Sequence, residues 1–208
     1  LCFSFFHPSM QDEPLIFVVV ALMDKIPTSI NEVLSQDREK VSKGNETTAV
    51  FYSISNCQKG LKGISFGNFL IKQVANAIRT DYPNIKDFVT LSPVPGFMDW
   101  LELNNNELFK SIDNGQFIDE TDEYKDDILK NSLDYFFNSE RSDKLPNDSV
   151  ARFHLGNGAY LHRINFLGDL SNKALNSAAG LMVNYKYDLD KIEENHEEFF
   201  KEKNIICS

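Results

Sequence analysis

Cysteine is scarce in this chain of 208 residues: Cys2, Cys57 and Cys207 stand far apart. They form no C-x-x-C pair and no Cys/His/Asp cluster at ligand spacing, which argues against a structural metal site. Three separated thiols also make no disulfide framework, so a reducing intracellular compartment is expected. Long apolar runs are missing too. The longest, PLIFVVVALM (14–23), is about half of what a bilayer demands and suits a buried strand. Positive charge is short, with 21 Lys and Arg against 31 Asp and Glu. A net charge of −10 argues against nucleic acid as the main partner. Neither G-x-x-x-x-G-K-[ST] nor G-x-G-x-x-G occurs, so a P-loop NTPase is not expected. No leader of the charged-then-apolar kind opens the chain, and residue 1 is Leu; a fragment or trimmed chain is the expectation.

What is present is aromatic bulk and unevenly placed charge. Seventeen phenylalanines stand among 42% apolar residues, enough for one sizeable core in one or two domains. Residues 98–140 hold twelve acids against three bases, whereas residues 57–80 hold Lys59, Lys62, Lys72 and Arg79 and no acid. That second stretch is a candidate binder of a small anion, although from charge alone a solvated helix face is the plainer account.

Periodicity gives the elements. FSFFH (3–7) and LIFVVVAL (15–22) read as an antiparallel pair across a turn, PSMQDEP. Ser29 and Glu32 stand at capping-box spacing and start a short helix. Residues 37–48 read as loop, and TAVFYSISN (48–56) as a central strand. Phe66, Phe69, Leu70, Val74, Ala77 and Ile78 then recur at helical spacing, as a core face of a helix ended by Pro83. KDFVTL (86–91) is a strand leading into LSPVPGF, and MDWLEL one or two helical turns. Residues 103–148, acidic and rich in Asn, Asp and Ser, read as an appended helical insert with a solvated surface. VARFHL is a helical turn stopped by Gly156, Asn157 and Gly158. AYLHRINF and GLMVNYKY (180–187) are strands, and DKIEENHEEFFKEK is a solvated helix. The order predicts an α+β fold, a mixed α/β layering of a sheet flanked by helices.

Three places invite chemistry. In LSPVPGF, Pro93 and Pro95 fix φ and donate no N–H, and Gly96 is free to take positive φ. The segment is either a plain turn or a stiff loop that presents Ser92. In QKGLKGISFG, small residues follow a strand and open a helix, an arrangement that aims backbone N–H groups at a phosphate; a glycine-rich turn accounts for it equally. His154 lies between an apolar helical turn and a glycine stop, where packing and proton transfer are both open. His7 and His162 read as packed strand residues, and His196 as solvated.

Four blocks, FYSISNCQKGLKGISFGNFLIKQV, TLSPVPGFMDWL, ARFHLGNGAYLHRINFLGDLS and AAGLMVNYKY, together resemble the catalytic domain of the malonyl-CoA decarboxylase family, in that order. The resemblance covers roughly residues 1–102 and 149–187. The insert departs from it, the family's N-terminal helical domain is absent from this sequence, and the ending IICS lacks the Ser-Lys-Leu of peroxisomal members. The resemblance implies a GNAT-like sheet whose central strands splay to admit CoA. It implies that Ser92 and His154 are catalytic and that Lys62, Gly63, Ile64, Ser65, Phe66, Gly67 and Asn68, with Ser92, His154 and Tyr187, bind the substrate. It further implies no metal and no cofactor beyond the CoA thioester, malonyl-CoA as the partner, no nucleic acid or membrane, and a homo-oligomer in the full-length protein. The implied role is control of malonyl-CoA in fatty-acid metabolism, in mitochondria, peroxisomes or cytoplasm.

Decarboxylation leaves a thioester enolate that must be stabilised and protonated at carbon. A histidine can deliver that proton near neutral pH, and a serine hydroxyl can orient the carboxylate. Tyr187 can add a phenol near the thioester or be a half-exposed strand residue; Asn157 can orient backbone or merely cap a helix. An acyltransferase on the same scaffold, a hydrolase with Ser92 as nucleophile, and a non-catalytic CoA binder are the alternatives. LSPVP lacks the G-x-S-x-G elbow, and no Asp is evident to orient His154, which weighs against the hydrolase.

Overall fold

A computed structural model describes residues 1–37, 41–42, 44–61, 67–113, 116–118, 121–139 and 141–208. A seven-stranded mixed sheet organises them. β1 (Cys2–His7) and β2 (Met10–Met23) pair antiparallel. The turn is shorter than the sequence suggests, because Met10–Pro14 continue β2. Register shifts at Phe5/Phe6 and Phe6/His7 accommodate Pro14, which has no N–H to give a ladder. β3 (Thr48–Asn56) runs antiparallel to β2 and parallel to β4 (Asp87–Thr90). β5 (Ser92–Pro93) extends the line of β4. Both pair antiparallel with β7 (Met182–Tyr187) in one register, Phe88 opposite Tyr187 and Ser92 opposite Val183. β6 (Tyr160–Asn165) flanks the other side of β7.

Two irregularities shape the middle of this sheet. Val19 pairs with Ser53 but Val20 with Phe51, so Tyr52 is an extra residue that bends β3. Pairing of β3 with β4 stops at Phe51 and Thr90, and the last bond runs from Leu91 N–H to the Phe51 carbonyl at 3.1 Å. Beyond it the parallel strands part, and a crevice opens past their carboxyl ends, the usual ligand position in such sheets. Between β4 and β5, side chains replace ladder rungs. The Tyr185 N–H donates to Thr90 Oγ1 (3.2 Å) and Asn184 Nδ2 to the Thr90 carbonyl (2.9 Å). On the far face Asn165 and Arg163 donate to Asn184 Oδ1, and Arg163 also reaches the carbonyls of Ile26 and Pro27.

Helices cover both faces. The capping box of Ser29 and Glu32 starts α1 (Ile30–Leu34), over a small cluster that includes Val50, Val89 and Leu91. α2 (Gly67–Asp81) links β3 to β4 and buries Leu70, Ile71, Val74, Ala75 and Ile78. Ala77, expected in that stripe, is exposed, because Ile71 and Ala75 complete the inner face at i, i+4 spacing. Phe66 lies outside the described residues. α3 (Phe97–Asn104), α4 (Asn106–Ile112) and α5 (Thr121–Phe137) follow. Leu108, Ile112, Phe117, Ile128, Tyr135 and Phe136 are all buried in the main core. The segment 103–148 is therefore a wall of the core with an acidic outer face, where the sequence suggested a solvated appendage.

α6 (Ser149–Gly156) ends at Asn157, a cap that precedes Gly158. Gly158 has φ +82°, and a Cβ there would stand 2.2 Å from the Ile192 carbonyl oxygen, so only glycine fits. α7 (Asn172–Ala178) and α8 (Ile192–Glu202) complete the helices. α8 is amphipathic where a solvated helix was expected: Ile192, Asn195 and Phe199 are buried. His196 is half-buried, with Nδ1 against the Gly156 carbonyl. His7 is exposed, not packed, and its Nδ1 accepts from Ser9 N–H (3.1 Å). Residues 206–208 lie along β6: Leu161 N–H donates to the Ile206 carbonyl (2.9 Å) and Ser208 N–H to the Leu161 carbonyl (3.3 Å).

Candidate active site

Strand geometry puts the first partners side by side. Side chains two apart on a strand share a face, so Thr90 and Ser92 project together, as do Tyr185 and Tyr187 on β7. α6 lies over that face and carries His154 in its last turn. Asp148 fixes the start of the helix by accepting from Ala151 N–H at 2.7 Å.

The side chains form a continuous line. Ser92 Oγ is 2.9 Å from Thr90 Oγ1 and 3.0 Å from His154 Nε2. His154 Nδ1 is 2.8 Å from the Tyr187 hydroxyl. The imidazole stacks on Tyr185, with centroids 4.9 Å apart and planes at 25°, and meets the edges of Phe153 and Tyr187. His154 is only 5% exposed, and burial pushes its pKa down to about 3. Burial raises the Tyr187 phenol well above its ordinary value. At neutral pH both groups are therefore uncharged. The Ser92 hydroxyl spends its proton on Thr90 Oγ1, so Oγ accepts from Nε2–H, and Nδ1 of the neutral ring is left to accept from the Tyr187 hydroxyl.

Ser92 and His154 of this line face a cleft of about 620 Å³, while Thr90, Tyr185 and Tyr187 lie buried behind them. One wall is the bent part of β3, including Tyr52 and Ile54; the other combines Ser92 and Pro93 with Val150 and Phe153 of α6. Lys173 of α7 lines it as well, and no carboxylate does among the described residues. The arrangement can hold an anionic group against Ser92 Oγ and move a proton along Nε2 and Oγ. Among the described residues no cluster of His, Cys, Asp or Glu could hold a metal ion, and no helix is long and apolar enough to cross a membrane.

Ser92 and His154 thus meet in one cleft; Tyr187 reaches His154 through Nδ1 but, at 2% exposed, neither lines that cleft nor is the half-exposed strand residue that was the alternative. Asn157 is the helix cap; its Nδ2 is buried with no hydrogen-bond partner among the described residues. Lys62, Gly63, Ile64, Ser65 and Phe66 lie outside the described residues, and Gly67 and Asn68 begin α2. Thr90 and Tyr185 were missed. The signal was available as the two-residue repeats T-x-S and Y-x-Y on strands, but a repeat of two does not say which face meets a helix.

Comparison with known proteins gives one consistent result. The model of the malonyl-CoA decarboxylase C-terminal domain matches residues 1–208. The mitochondrial malonyl-CoA decarboxylase of Anser anser anser is 35% identical over the whole chain, which covers 48% of that protein. The chain thus spans about half the length of the curated relatives it matches. The crystal structure of malonyl-CoA decarboxylase from Agrobacterium vitis superposes with a TM-score of 0.93 at 47% identity, over all of this chain and 55% of that one. A GNAT-like decarboxylase, GphF, in complex with isobutyryl-CoA shares the fold at a TM-score of 0.55 and 15% identity, over 90% of this chain and 77% of that one.

Proposed function

The chain belongs to the malonyl-CoA decarboxylase C-terminal domain family, and from that premise we propose that it converts malonyl-CoA to acetyl-CoA and carbon dioxide. The observation that carries the reading is the Ser92–His154 pair facing the cleft, with the buried Tyr187 hydroxyl on Nδ1 of the same imidazole. The malonyl carboxylate sits against Ser92 Oγ, which orients it. As the C–C bond breaks, carbon dioxide leaves and the electron pair passes into the thioester as an enolate. The enolate carbon then takes a proton, so each turnover consumes one. A carboxylate arriving beside Nε2 strengthens the hold of the ring on a second proton, against the burial that weakens it in the free cleft. Nε2–H then supplies the enolate carbon by way of Ser92 Oγ, and the Tyr187 oxygen accepts from Nδ1–H.

The polyanionic CoA part is assigned to the stretch after β3. The residues assigned are Lys62, Gly63, Ile64, Ser65 and Phe66, with Gly67 and Asn68, which stand at the head of the 15-residue α2, where free backbone N–H groups favour an anion such as the pyrophosphate. Lys173 adds a cation at the cleft. A hydrolase is less well supported, because the partner of His154 Nδ1 is a phenol and not a carboxylate. A homo-oligomer, and a mitochondrial, peroxisomal or cytoplasmic setting, belong to this proposal for the longer protein.

Mass analysis of the protein incubated with malonyl-CoA tests it. Acetyl-CoA with carbon dioxide is expected. Free CoA with malonate indicates a hydrolase, an acylated amine an acyltransferase, and unchanged thioester a binder; any of the three overturns the assignment.

A further inference from the structure

We propose that Tyr135, in the acidic segment, is a positioning residue whose hydroxyl locks the serine loop to the start of the histidine helix and so sets the Ser92–His154 separation. The inference rests on the roles proposed above for Ser92 and His154. It begins from the two acceptors of one phenol. Tyr135 Oη lies 3.1 Å from the Pro95 carbonyl oxygen and 3.3 Å from Asp148 Oδ2. Pro95 stands three residues beyond Ser92 in the same stiff loop. Asp148 is the cap of α6, six residues before His154. A buried phenol needs one partner to be satisfied; here it has one on each of the two elements that carry the reacting side chains.

The surroundings hold the phenol in place. Tyr135 is 3% and Asp148 1% exposed. The ring packs against Phe97 and Trp100, with centroids 5.8 and 5.6 Å away. Gly96 has φ +87°, and a Cβ on it would stand 3.3 Å from Tyr135 Oη, so the loop passes very near the hydroxyl. α5 and α6 are also joined to each other. Arg152 donates to the carbonyls of Pro146 and Asn147 (2.6 and 2.7 Å), and Asn147 N–H donates to the Ser139 carbonyl (3.1 Å). With the two helices braced, the Tyr135 hydroxyl is the tie from that joint to the serine loop. Preorganisation of this kind acts on turnover more than on affinity, because CoA is held elsewhere and only the reacting groups lose register.

The test is Tyr135→Phe, which removes one oxygen and keeps the ring. With malonyl-CoA, kcat is expected to fall roughly 5- to 30-fold while KM changes less than twofold. Asp148→Asn keeps both the cap and a donor toward Tyr135 Oη, and should retain at least half of the rate. A second readout does not depend on the reaction. The ring N–H of His154, buried against Ser92, should give a protected low-field proton resonance that shifts or broadens in Tyr135→Phe and persists in Asp148→Asn. If the wild-type protein releases no carbon dioxide, the functional reading fails, and the resonance still decides the role of Tyr135. Unchanged kcat together with an unchanged resonance in Tyr135→Phe overturns the proposal. So does a loss confined to KM. Should Tyr135→Phe fail to fold, a collapse of both readouts in a folded Asp148→Asn protein also overturns it.

Discussion

At the scale of single residues, Ser92, His154 and Tyr187 are buried, hydrogen-bonded in a line and uncharged at neutral pH. Ser92→Ala removes the donor to the carboxylate and is expected to lower kcat by about 10²–10³ with little change in acetyl-CoA affinity. His154→Asn should cost about 10²–10⁴ in kcat. Steady-state kinetics beside acetyl-CoA calorimetry checks both; an affinity loss that matches the rate loss would count against the assignment. Burial also makes the site sensitive to pH through stability. His154 is held near 3 against an ordinary 6.5, so it stabilises the fold above pH 6.5 and loses that contribution as pH falls toward 3. Asp148 behaves oppositely. Burial raises it to about 6 from 3.8, against the Ala151 and Val150 amides, the Tyr135 hydroxyl and Arg152, which all lower it. Its contribution is complete below pH 3.8 and disappears as pH rises through 6. Between pH 4 and 6 the two slopes oppose each other. Asp148→Asn removes one of them and should add about 2–3 kcal/mol at pH 7 and nothing at pH 4. Urea unfolding at pH 4, 5, 6 and 7 measures this; an equal effect at every pH would refute it.

At the scale of elements, the bend at Tyr52 and the end of β3–β4 pairing make the crevice, and side-chain rungs at Thr90 and Asn184 carry β4 into β5. Much of this was legible. TAVFYSISN is rich in β-branched and aromatic residues, and it became β3 with the expected ends; Ser29 and Glu32 capped α1 as read. The parting of the strands was not legible from periodicity, because a bulge is a count of partners across two strands and no single strand shows it. MQDEP looked like turn for a similar reason: its Pro and acids are local turn signals, and pairing with β1 overrode them. Ser92 and His154 could each be called structural from their own neighbours, and only the family resemblance joined residues 62 positions apart. Gly158 tests the element scale directly. Gly158→Ala puts a methyl against the Ile192 carbonyl in a positive-φ position, and a loss of about 2–4 kcal/mol is expected from strain and clash together. Chemical denaturation that shows a loss under 1 kcal/mol would remove glycine's role in docking α8.

At the scale of the whole molecule, net charge misleads about where material is buried. The acid-rich stretch supplies Ile112, Phe117, Ile128 and Phe136 to the main core, because an amphipathic helix can be acidic outside and apolar inside. The average over such a stretch hides its inner face, which is why the segment read as an appendage. Its removal should therefore unfold the domain. The far side of the sheet carries a last consequence. Residues 206–208 pair with Leu161, so the chain's own tail occupies hydrogen-bonding groups that another strand could otherwise recruit. A protein ending at Lys203 should keep its cleft and its helices but present a bare sheet margin. Self-association is then expected to appear as concentration-dependent light scattering at neutral pH, with the circular dichroism spectrum of the soluble fraction unchanged. A shortened protein that stays as dispersed as the chain of residues 1–208 would mean that the tail shields nothing. The expected duty of those residues is solubility, by covering a sheet edge that would otherwise pair with another chain.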